Sequence, residues 1–115
     1  MSIRTYDRVE ATALVPFFQS IAFEVTERRS ALRKLEAQLL GCAPDSDQAV
    51  QLQADSANHR KETRLALREI TRLGCTIARE FPLRVIIPGP NGEADGYFWN
   101  TGDLSVEPST AGSAA

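Results

Sequence analysis

The most specific polar pair in the sequence is Arg28 with His59, the only histidine of the chain. Imidazole is the side chain whose charge changes near pH 7, so His59 can be read as a general base oriented by Glu62 or Glu24. In that reading Arg28, His59 and Glu62 form a ligand-binding or catalytic cluster. The plainer reading makes His59 a half-buried helix-seam residue that hydrogen-bonds to Ser56 or Thr63 and fixes register. A base with no nucleophile or phosphate cradle beside it is incomplete, which favours the plainer reading and leans away from an enzyme. A single histidine also removes every zinc site built on two imidazoles.

Arg60, Arg64, Arg68 and Arg72 recur at every fourth position. A four-residue step drifts about 40° around a helix, so the row is a spiral stripe. It could grip phosphates or an acidic partner, but Glu62 and Glu69 balance it and its position suits the negative end of the helix dipole. Asn91, Glu93, Asp95 and Gly96 imitate the first half of a calcium loop. The twelfth position would be Gly102, where a bidentate glutamate is required, so this segment reads as a hairpin tip. Tyr97, Phe98 and Trp99 could stack bases. Beyond Gly74, however, only Arg79 and Arg84 stand against five acids, which leaves no basic groove. Those aromatics are expected to form core with Phe17, Phe18 and Phe23. Cys42 and Cys75 are separated by a helix of about 40 Å, too far for a disulfide, and Cys75 has no local histidine to activate it. No metal or cofactor is expected, and no P-loop, GxSxG, HExxH or GxGxxG motif occurs.

These side chains must be carried by two long helices. Asp7 and Glu10 form a capping box ahead of a helix that runs to Leu40. Pro16 kinks it between Thr12 and Pro16, and Gly41 stops it. Leu14, Phe18, Ile21, Val25, Leu32, Leu35 and Leu39 make a near-heptad seam in which Arg28 alone is polar. After a turn over 41–47, with Asp45, Ser46 and Asp47 as candidate caps, a second helix spans about Gln48 to Leu73 and ends at Gly74. Its seam reads Ala49, Leu52, Ser56, His59, Thr63, Ala66, Ile70 and Leu73. An antiparallel hairpin then brings Leu14 near Leu73 and Arg28 opposite His59. Phe23 points away from the seam, so something other than the second helix must cover it.

The remainder changes character. Cys75–Glu80 and Leu83–Ile87 carry strand propensity, Asn91-Gly92 is a type I′ turn signal, Gly96–Asn100 is the returning strand and Asp103–Glu107 a last short one. The expected fold is therefore α+β, a long antiparallel helical hairpin followed by a small antiparallel β-meander. It forms one domain over 1–107, with 108–115 as a disordered tail.

Tyr6-Asp7-Arg8-Val9-Glu10-Ala11, Leu14-Val15-Pro16, Leu73-Gly74-Cys75, Val85 to Pro88, Trp99 and Gly102-Asp103 together resemble a family of short prokaryotic proteins known as domain of unknown function 2203. The resemblance implies helices followed by a small sheet and supplies no activity. Relatives of that pattern carry an acid where Ile86 stands and end in Trp-His where this chain has Ser109-Thr110.

At 115 residues and a formal charge of −2, the chain is one domain with no field that would draw nucleic acid or membrane. No apolar run reaches the ~18 residues of a spanning helix. The expectation is a cytoplasmic, non-catalytic interaction module, a homodimer paired through its helices, with a further protein partner unspecified. A small-ligand site at Arg28, His59 and Glu62, or RNA or acidic-partner binding on the arginine stripe, are the alternatives.

Overall fold

A computed structural model describes residues 4–109. Helix α1 (Arg8–Ala13) begins in the expected capping box: the Asp7 carboxylate accepts from the Glu10 amide at 2.8 Å, and Glu10 accepts from the Asp7 amide at 2.9 Å. Helix α2 (Val15–Leu40) follows after the single intervening residue Leu14, with Pro16 in its first turn. A proline there needs no amide partner, and the expected kink falls at Leu14, whose backbone stays in the helical region at φ −81° and ψ −14°. Ser46 caps α3 (Asp47–Arg72), its hydroxyl accepting from the Ala49 amide. Gly74 then takes φ +86°, a left-handed conformation that turns the chain out of α3 at little cost.

The four strands β1 (Thr76–Arg79), β2 (Arg84–Gly89), β3 (Gly92–Asn100) and β4 (Glu107–Pro108) form an antiparallel sheet in sequential order. The fold is α+β, a helical hairpin followed by a meander. Alternation places Val85 beside Trp99 and Ile87 beside Tyr97 on the face toward the helices; Arg84 and Ile86 lie on the other with Phe98, whose ring carries the Arg84 guanidinium at 4.6 Å. Trp99 packs on Phe18 with ring centroids 5.7 Å apart, and one core joins them to Ile21, Val25, Leu67 and Ile70. Leu14 and Leu73 both pack against it, as the hairpin requires. The N-terminal strap is tied to both layers. The Tyr6 amide donates to the Pro88 carbonyl at 2.9 Å and its phenol to the Leu73 carbonyl at 2.6 Å.

Three sheet expectations are corrected. The β2–β3 turn is centred on Pro90-Asn91, one residue early, because Gly89 pairs with Gly92. Proline cannot adopt positive φ, and among the described residues no non-glycine does, so the turn is not type I′. The strand expected to end at Ile87 runs on through Pro88 and Gly89 in β2. The last strand is only Glu107–Pro108, and Pro108, read as the first residue of the tail, pairs with Tyr97; residues 110–115 lie outside the described residues.

The hairpin outruns the sheet. Principal extents are 55 × 33 × 22 Å and the radius of gyration is 17.9 Å, against about 13 Å for a compact chain of about 100 residues. The main core ends near Val25 and Ala66; beyond it only Ala49, Leu52 and Ser56 are buried. No helix among the described residues is long and apolar enough to cross a membrane.

Candidate functional site

Where the core gives out, the hairpin seam turns polar. Arg28 enters from α2: its Nε donates to Glu24 one turn back at 2.8 Å, and a terminal nitrogen donates to His59 Nδ1 on α3 at 3.2 Å. A guanidinium has no acceptor, so Nδ1 must accept, which assigns the neutral imidazole's proton to Nε2. The pair is half-exposed, with side-chain exposures of 24% for Arg28 and 39% for Glu24, so it orders side chains more than it stabilises the fold.

These three residues sit in an open groove of ≈ 540 Å³ that also takes in Ser20, Phe23 and Glu27. A second hollow of ≈ 290 Å³ shares Ala31 and His59 with it and continues past Lys34 and Leu35 to Asp55. The groove thus follows one flank of the hairpin seam. The sheet side is the other flank, where Val25, Arg29 and Leu32 border Phe81 and the Arg29 guanidinium stands 4.4 Å over that ring. Arg28 and His59 meet as the sequence implies, but Glu62 does not join them. It is half-buried on α3 without a hydrogen bond or ion pair among the described residues, and Glu24 takes its place because an i, i+4 partner on the same helix is already within reach. Neither Ser56 nor Thr63 bonds the imidazole; the Thr63 hydroxyl donates to the main-chain carbonyl of His59. Chemically, the arrangement is a polar clasp between helices. Among the described residues no hydroxyl or thiol is hydrogen-bonded to the Arg28 or His59 side chain, and no group of three or more metal-ligating side chains occurs.

Ser56 is only 2% exposed and its hydroxyl has no hydrogen-bond partner among the described residues. An unpaired buried hydroxyl costs roughly 1–3 kcal/mol. Ser56→Ala is therefore expected to raise the urea midpoint, by about 1 kcal/mol of stability, without changing the helical circular dichroism.

The arginine stripe is divided by its neighbours. Arg60 meets Glu36 across the hairpin at 3.8 Å and Arg72 meets Glu69 at 3.0 Å, all well exposed; Arg64 and Arg68 form no ion pair among the described residues. At the hairpin tip, Asn91 donates to Asp95 at 3.1 Å. Phe23 corrects the sequence reading outright: it is 68% exposed, not core, and stands at the edge of a shallow hollow that it shares with Trp99 and Thr101.

Both cysteines are free thiols. Cys75 is 4% exposed, and burial pushes its pKa from 9.0 to about 11, only partly offset by Arg4. Burial likewise raises the Tyr6 phenol, with Cys75 and Glu10 adding to the rise and Arg4 opposing it. A thiol this protonated does not attack electrophiles at pH 8. Iodoacetamide at that pH is expected to label the half-exposed Cys42 and leave Cys75 intact until the protein unfolds, as peptide mass spectrometry would read. The sign for stability follows: with the folded pKa above the unfolded one, Cys75 costs nothing below pH 9 and erodes stability as pH rises from 9 toward 11.

Compared with family models, curated proteins and solved structures, the chain matches none.

Proposed function

We propose that the chain is a non-catalytic interaction module whose helical hairpin pairs with a second copy, giving a four-helix homodimer. The observation that carries this reading is the thin cover on the hairpin beyond the sheet. Leu32, Leu35 and Leu39 are only half-buried, while Phe23 and Leu65 are 68% and 38% exposed. Two helices alone cannot enclose such side chains, whereas four around a common axis can. Each square ångström of apolar surface so covered is worth about 25 cal/mol. Multi-angle light scattering on the whole chain tests the reading. A mass of twice 12.6 kDa at high micromolar protein, falling on dilution, is expected; 12.6 kDa throughout contradicts it.

A reducing cytoplasm is part of this proposal, supported by the two free thiols. The kinship with the domain of unknown function 2203 family belongs to the same proposal. Its supporting residues are joints of this fold: Tyr6 bonds Leu73 and Pro88, and the Trp99 indole donates to the Asp103 carbonyl at 2.9 Å.

The contact of Arg28 with His59 supports a second reading, a small-ligand site in the groove. A panel of metabolites that raises the melting temperature of wild type but not of Arg28→Ala would favour it; no shift with any of them would dismiss it.

A further inference from the structure

We infer that the second copy docks on the groove face of the hairpin, with α2 of each copy lying over α3 of the other and Phe23 of each seated on Leu65 of the other. The inference rests on the self-association proposed above and specifies its surface.

The groove residues of α2, Ser20, Glu24, Glu27, Ala31, Lys34 and Gln38, follow steps of four and three and so keep to one flank. On α3 the groove is bordered by Asp55 and Asn58. Seven residues farther along the same stripe stand Glu62 and Leu65. The flank therefore has two rims, each with one large exposed apolar side chain: Phe23 on α2, 68% exposed, and Leu65 on α3, 38% exposed. The register fixed by Arg28 against His59 brings these two to within about one helical turn of each other along the rod.

That placement is self-complementary. A twofold axis parallel to the helices exchanges the rims and sets α2 of one copy over α3 of the other, so the Phe23–Leu65 contact forms twice. Charges exchange in the same sense. Glu27 comes level with Lys61 of the second copy, and Lys34 with Asp55. Glu62 comes level with Glu24, whose charge Arg28 already offsets within the same chain. Opposite signs therefore meet at two levels of a surface whose apolar content is modest, which fixes orientation and register more than affinity. A sheet-side dimer lacks this match, because there Glu36 and Arg60 already satisfy each other within one chain.

Sedimentation equilibrium on the full-length chain and its variants tests the arrangement. Phe23→Asp is expected to weaken the dimer at least about 30-fold, as loss of a central aromatic anchor does. Its circular dichroism should be unchanged, since the ring is solvent-exposed in the single chain. Leu40→Asp, at the hairpin turn, should change the dissociation constant less than about threefold. Glu27→Lys and Lys61→Glu should each weaken pairing up to about fivefold, and the double variant should recover it. Dimers indifferent to Phe23→Asp but dispersed by Leu40→Asp would overturn this face and leave self-association standing. Failure of the double variant to recover would overturn the α2-over-α3 arrangement. A wild type that is monomeric at every concentration would remove the underlying reading itself.

Discussion

Trp99→Ala is expected to leave the chain largely unfolded at room temperature. Trp99 is fully buried, stacks against Phe18, stands opposite Val85 in the sheet and donates its indole N–H to the Asp103 carbonyl. Truncating a buried aromatic costs about 3–5 kcal/mol, and the carbonyl left without its donor adds to that. A domain of this size has only about 5–15 kcal/mol to lose. Here the core is confined to one end of an elongated molecule, so the lower part of that range is the relevant one. Far-UV circular dichroism at 25 °C with a urea titration checks it. Leu104→Ala, at a side chain 85% exposed, should be neutral in the same assay. A Trp99→Ala protein with a wild-type urea midpoint would mean that the sheet does not pack on the hairpin as described.

Gly96→Ala should be nearly as damaging for a different reason. A Cβ at Gly96 would lie 1.9 Å from the Ile87 carbonyl oxygen and 2.7 Å from the Gly89 nitrogen, and one at Gly89 would lie 2.0 Å from the Asp95 carbonyl oxygen. Both obstacles are backbone of the facing strand, which cannot step aside without breaking the β2–β3 register. The pairing is already irregular there, between Ile87 and Gly89, so the two glycines allow the strands to close at the bulge. A cost of roughly 3–5 kcal/mol is expected, with amide exchange in β2 and β3 accelerated together. Gly102→Ala separates steric from dihedral effects. Nothing lies within 4 Å of its added Cβ, but φ is +99°, so only the left-handed penalty of about 1–2 kcal/mol remains. Equal effects at Gly96 and Gly102 would refute the close-approach explanation.

The helices were legible because their signals are local. Asp7 with Glu10, Ser46 before Ala49, Pro16 in a first turn and Gly74 at positive φ each act within a few residues, and the boundaries fall almost where those residues put them. The heptad seam also brought Arg28 opposite His59, since an antiparallel hairpin with a short turn has little freedom of register. What could not be read depends on contacts remote in sequence. The turn moved to Pro90-Asn91 because Gly89 and Gly96 had to meet across the sheet, which no local propensity encodes. Phe23 looked like core because three phenylalanines fall on the front of α2; which flank the sheet would cover was not contained in that spacing. Glu62 lost the clasp to Glu24 because a partner one turn away on the same helix outcompetes one that must cross the seam. The unpaired Ser56 hydroxyl could not be anticipated, since a seam serine ordinarily finds a carbonyl one turn back.

Hydrogen exchange on the whole chain at two protein concentrations, a hundredfold apart, tests most directly the claim that the hairpin is an arm for a second copy. Amides of 20–38 and 51–65 should exchange several-fold more slowly in the concentrated sample while those of β2 and β3 stay unchanged, because only the former lie under the docked hairpin. Identical protection of both stretches at the two concentrations would contradict it.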